Sequence, residues 1–181
     1  ISLDNITIQN TGWDGVVLNG YNNIVKNSSF KYIGATAVNI SGGDRYSLTP
    51  AKSLVSNNVI TTSGIDVLSY VQGILMNGVG IQAINNKISD SPDTGILFIG
   101  NDHLISGNEI FDVVKDTGDQ GAIYSGRDWL GQGTVIRDNF IHHVYGIGNL
   151  AASAIYLDDQ LSGITVTNNV IANVFRGFLI G

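Results

Sequence analysis

Four aspartates in the second half of the chain stand where acid–base chemistry is possible: Asp119, Asp128, Asp158 and Asp159. Asp119 precedes the short apolar run Gly121-Ala122-Ile123-Tyr124, and Asp128 follows it in the turn Gly126-Arg127-Asp128-Trp129. Asp158 and Asp159 follow the similar run Ala154-Ile155-Tyr156-Leu157. Glycoside hydrolysis needs two carboxylates flanking the scissile bond, about 5–5.5 Å apart for retention and about 6.5–9.5 Å for inversion. A pair such as Asp119 with Asp158 or Asp159, separated by one strand rung and one strand length, falls on that scale. Arg127 can bind a hydroxyl or a carboxylate, and Trp129 with Tyr124 or Tyr156 can offer an apolar face to a sugar ring.

Other polar turns widen the candidate surface. Gly43-Asp44-Arg45 and Gly100-Asn101-Asp102-His103 occupy places like those of the Arg127 and Asp158 turns, so Arg45, Asn101, Asp102 and His103 join the expected substrate-binding ridge. Asp93 and Asp119 each stand two residues before a strand glycine, Gly95 and Gly121, and are expected to stack one strand spacing apart. Carboxylates that close raise one another's pKa, which is one route to a general acid at neutral pH. Against this, Asp and Asn are common in turns because they bond the local backbone. Asp44, Asp93 and Asp102 fit that structural reading readily. Core packing is the first reading for the Tyr124 and Tyr156 rings, and His142 and His143 read as surface or ladder residues.

These turns must be held by whatever repeats. The strand before the Asp-rich turns recurs as Gly73-Ile74-Leu75-Met76, Gly95-Ile96-Leu97-Phe98 and Gly177-Phe178-Leu179-Ile180, with Gly15-Val16-Val17-Leu18 and Ala37-Val38-Asn39-Ile40 as earlier copies. A second marker, Asn before a β pair, appears at Asn58, Asn86, Asn108, Asn139 and Asn169, spaced by 28, 22, 31 and 30 residues. A period in this range, with one supersecondary unit per repeat, signals a solenoid. Each repeat holds about three short strands and no helical periodicity. The expected fold is therefore all-β: a parallel β-helix of about seven coils, climbing about 4.8 Å per coil. Ile60, Ile88, Ile110, Ile141 and Ile171 should stack inside it, and the marker Asn side chains should bond to the backbone and to one another. A propeller fits poorly, because its closed blades would need near-constant spacing.

Composition narrows the class. The 181 residues suit one domain, 1–181, with 43% apolar and only 13% charged residues, which excludes disorder and a helical bundle. Net charge is −6 with no basic run, which argues against a nucleic-acid partner. No apolar stretch reaches the length of a membrane span. Without cysteine there is neither a disulfide nor a thiolate metal site. The chain opens inside one repeat and closes on another, as expected of an excerpt from a longer solenoid.

The phrases GGDR…LTP, GILFIGNDHLISGNEI, DQGAIYSGRDW…GTVIRDNFIH and AIYLDDQLSG resemble bacterial right-handed parallel β-helix proteins of polysaccharide degradation. Over about residues 42 to 181 the chain is most similar to the β-helical glycoside hydrolase family with α-L-fucosidase and xylanase members. That resemblance implies a carbohydrate substrate, no cofactor, a secreted or periplasmic bacterial setting, and a catalytic pair drawn from Asp119 or Asp128 and Asp158 or Asp159. Two rival functions remain on this fold. A polysaccharide lyase or epimerase would use Ca²⁺ held by Asp128, Asp158 and Asp159, with Arg127 or His103 as base. A non-catalytic solenoid would bind carbohydrate on the same ridge.

Overall fold

A computed structural model describes every residue, Ile1–Gly181. The chain winds through seven coils, each giving one strand to each of three parallel seven-stranded sheets. The first sheet runs from Ser2–Asp4 to Thr165–Thr167 and the second from Thr7–Thr11 to Val170–Val174. The third, which carries the candidate site, stacks Val16–Asn19, Val38–Gly42, Ile74–Val79, Ile96–Asn101, Gln120–Ser125, Ala152–Leu157 and Arg176–Ile180. This is the parallel β-helix that the period predicts. No helix is long and apolar enough to cross a membrane.

Alternation along each strand sends every second residue into the bore. Ile60, Ile88, Ile110 and Ile141 pair in register and are fully buried, and Ile171 extends the column. Burial of each such side chain stabilises by about 1.5–3 kcal/mol. The turn between the first and second sheets is held by the Asn column. Asn58 Nδ2 donates to Asn86 Oδ1 at 2.9 Å, and the same bond links Asn86 to Asn108, Asn108 to Asn139 and Asn139 to Asn169 at 2.8–3.0 Å. Each of these Nδ2 groups also reaches a backbone carbonyl in the preceding coil, as Asn86 does to Val55 at 2.9 Å.

The third sheet departs from the expected alignment by one residue. Ile96 pairs with Ile123 and Leu97 with Tyr124, so Gly95 lies beside Ala122 rather than Gly121. The position takes a small residue in every coil, and at Gly95 glycine itself. A Cβ on Gly95 would come within 2.8 Å of the Ala122 carbonyl oxygen and 2.7 Å of Ile110 Cγ2. The column that satisfies it is Gly15, Ala37, Gly73, Gly95, Ala122, Ala154 and Gly177. The shift sets Asp93 level with Gln120, whose Oε1 accepts from Thr94 Oγ1 at 3.1 Å, and breaks the expected Asp93–Asp119 stack.

Candidate active site

Leu97, Tyr124, Tyr156 and Leu179 form one outward-facing column of the third sheet. The two tyrosine rings therefore point away from the bore, not into it as core packing would have it. They meet edge to face, with centroids 5.4 Å apart and planes at 80°. Tyr124 donates its hydroxyl to Asp158 Oδ2 at 3.0 Å. The Tyr156 hydroxyl donates to Asp119 Oδ1 at 3.3 Å and also lies beside Asp158. Asp158 is steadied by the Asp159 amide, which donates to its Oδ1 at 2.8 Å, and Asp119 by its own amide, which donates to the Ala151 carbonyl at 2.7 Å. Asp119 and Asp158 thus meet at one phenol, that of Tyr156.

The group sits in a cleft of about 250 Å³. Leu97, Gln120 and Tyr124 lie along the sheet, Asp119, Tyr70 and Gln72 come from turns leading into it, and Arg127 and Asp158 from turns leaving it. Burial, and then the hydrogen bonds to Asp158, push both tyrosines above the ordinary phenol pKa. They remain protonated donors at neutral pH. Arg127 donates Nε to Asp159 Oδ2 at 2.8 Å, a bond that holds its proton more firmly still.

Other expected site residues go elsewhere. Asp128 is only 11% exposed: its Oδ1 pairs with Arg45 Nη2 at 2.7 Å, and its Oδ2 accepts the Gly100 amide at 2.8 Å. Arg45 also donates Nε to Asn101 Oδ1 at 3.0 Å, and Asn101 Nδ2 reaches the Leu130 carbonyl at 2.7 Å. Arg45, Asn101 and Asp128 thus fasten the 44–49 insertion to the 126–130 turn. Asp128 faces Arg45, while Asp158 faces Tyr124.

His103 is 1% exposed and cannot serve as a base on the ridge. Its Nδ1 accepts the Ile81 amide at 3.2 Å and its Nε2 donates to the Ile99 carbonyl at 3.1 Å, while burial lowers its pKa. It is a neutral core residue. Asp102 lies on another face, beside Pro50 and Lys52. Trp129, 74% exposed, borders a separate open hollow with Arg127 and Asp159. Tyr70, Gln72 and Gln120 line the cleft without having been singled out in the sequence. The signal for Tyr70 and Gln72 is only the length of connection: 15 residues from Asn58 to Gly73, against 9 from Asn86 to Gly95.

Comparison with known proteins adds the following. The family model described as right handed β-helix region matches residues 72–181. No curated protein matches the chain. Among solved structures, the A-module of Azotobacter vinelandii mannuronan C-5 epimerase AlgE4 superposes with a TM-score of 0.54 at 17% identity. The match covers 98% of this chain and 55% of that one, so the chain spans about half the length of that module. At this identity the likeness is one of fold.

Proposed function

The chain belongs to the right-handed β-helix family, and we propose that it is a glycoside hydrolase with Asp119 and Asp158 as its paired carboxylates. The observation that carries this reading is the meeting of both carboxylates at the Tyr156 hydroxyl, inside a cleft. One carboxyl protonates the leaving oxygen, and the other attacks the sugar or activates water on its far side. Tyr124 and Tyr156, held protonated, give their O–H groups to Asp158 and Asp119 and so hold the two acids in place. Arg127 and Tyr70 bound the space for the ring. A polysaccharide substrate also carries the expectation of a secreted or periplasmic setting.

An epimerase or lyase reading draws on the fold shared with the mannuronan C-5 epimerase module. That chemistry needs a base and a means of neutralising the substrate carboxylate. Here the phenols are pushed away from the phenolate form, Arg127 is engaged by Asp159, and His103 is in the core. The cleft itself presents Asp119 and Asp158. Those facts favour hydrolysis.

The test is incubation with neutral polysaccharides, nitrophenyl glycosides and polyuronates, with reducing ends, unsaturated product and sugar configuration all followed. Release of reducing ends or nitrophenol without unsaturated product is the expected result. Asp119→Asn and Asp158→Asn should each lower kcat by about 100-fold or more, with melting temperature retained. A calcium-dependent rise in unsaturated product would replace this reading with the lyase. Sugar binding without turnover, weakened by the same substitutions, would replace it with a binding module.

A further inference from the structure

A third carboxylate borders the cleft and has no part in the proposed reaction. Asp93, in the turn leading into Ile96–Asn101, is 1% exposed, and the groups that bond it are neutral donors. Its Oδ2 accepts the Val71 amide at 3.3 Å, from the coil before. Its Oδ1 accepts the Thr117 hydroxyl at 3.2 Å, from the coil after, and that hydroxyl is shared with the Pro92 carbonyl at 3.0 Å. The Asp93 carbonyl accepts the Val114 amide at 2.9 Å. One residue therefore bridges three successive coils. Each end of the bridge adjoins the cleft, since Tyr70 precedes Val71 and Asp119 lies two residues past Thr117.

An uncompensated buried carboxylate is an expensive way to close a turn. A neutral side chain would serve if only turn geometry were needed, but an amide brings one acceptor oxygen and two N–H groups to a place where donors arrive from both sides. We propose that Asp93 is a positioning residue that straps the 64–72 and 112–119 turns together and so sets Tyr70 and Asp119 at their separation across the cleft. Its consequence for turnover rests on the hydrolase reading; the strap itself does not. Tyr70 is 81% exposed, so little besides the main chain at Tyr70 and Val71, which bonds Asp93, fixes its place.

The experiment compares Asp93→Ala, Asp93→Asn and Thr117→Val with the full chain, by amide hydrogen exchange and by kinetics on a nitrophenyl glycoside that the parent hydrolyses. In Asp93→Ala, protection at Val71 and across 114–119 should fall at least about tenfold, the equivalent of one lost buried hydrogen bond, while the Asn86 and Asn108 amides stay protected. Thr117→Val, which leaves the carboxylate in place, should loosen 114–119 and spare Val71. With substrate, Asp93→Ala should raise KM and lower kcat several-fold, and Asp93→Asn should recover part of both. The pH–rate profile should keep both limbs at reduced height. Unchanged exchange at both turns in Asp93→Ala overturns the strap. A lost limb of the profile overturns it in favour of Asp93 as a proton donor. Loosened turns in a protein that hydrolyses no glycoside support the strap and count against the hydrolase reading alone.

Discussion

Asp93 titrates above an ordinary aspartate because burial disfavours its charged form. Folded-state pKa then exceeds the unfolded value, so between the two the folded protein holds a proton that the unfolded chain has released. Stability from this group falls as pH rises through that window and is lowest above it. Asp90 runs the other way: Lys115 and then Thr62 hold its pKa down, so its contribution is present above the ordinary value and is lost as pH falls. Comparing the parent with Asp93→Asn cancels the Asp90 term. As pH rises above the ordinary aspartate value the parent should lose urea-unfolding stability relative to Asp93→Asn, and parallel pH curves would contradict the buried ionisation. The tyrosines carry a related lesson. Burial first, and then Asp158 beside them, favour the donor form of the Tyr124 and Tyr156 phenols.

Among the elements, the Asn column binds coil to coil most directly. Asn108 Oδ1 accepts both the Asn86 amide and Asn86 Nδ2, while its own Nδ2 reaches the Ala83 carbonyl and Asn139 Oδ1. Asn108→Ala would leave several buried polar groups unpaired at once. The expected cost is about 3–5 kcal/mol, read as a lower urea midpoint with an unchanged slope. The 126–130 turn depends on a longer link. Arg45 closes on Asp128 across 83 positions of sequence, and Asp128 takes the Gly100 amide that a strand partner would otherwise bond.

For the molecule as a whole, charge bears on which glycans the proposed cleft would admit. Net charge is −6, and the cleft presents Asp119 and Asp158 while Arg127 is spent on Asp159. A neutral glycan meets no long-range repulsion there, whereas a polyuronate does. Raising salt from about 0.01 to 0.15 M shortens the screening length from about 30 to 8 Å. Over that range KM for a neutral glycoside should hold steady, and any binding of a polyuronate should strengthen. Weakening of polyuronate binding with salt would mean that a cationic surface receives it.

The period of the strands, the Asn column, the stacked isoleucines and the turns rich in Asp were all legible in the sequence. Each is a local pattern repeated once per coil, and stacking copies in register leaves little freedom about where they go. Register itself was not legible at Gly121-Ala122, where two small residues compete for one tight position and only the pairing of Ile96 with Ile123 in the neighbouring coil decides. A slip of one residue moves a side chain to the opposite face of a strand. The outward turn of Tyr124 and Tyr156, the burial of His103, and the pairing of Asp128 with Arg45 likewise depend on which coil lies alongside. So does the bridge from Asp93 to Val71 and Thr117. Sequence spacing determines how often the chain returns, and tertiary packing decides which side chains meet when it does.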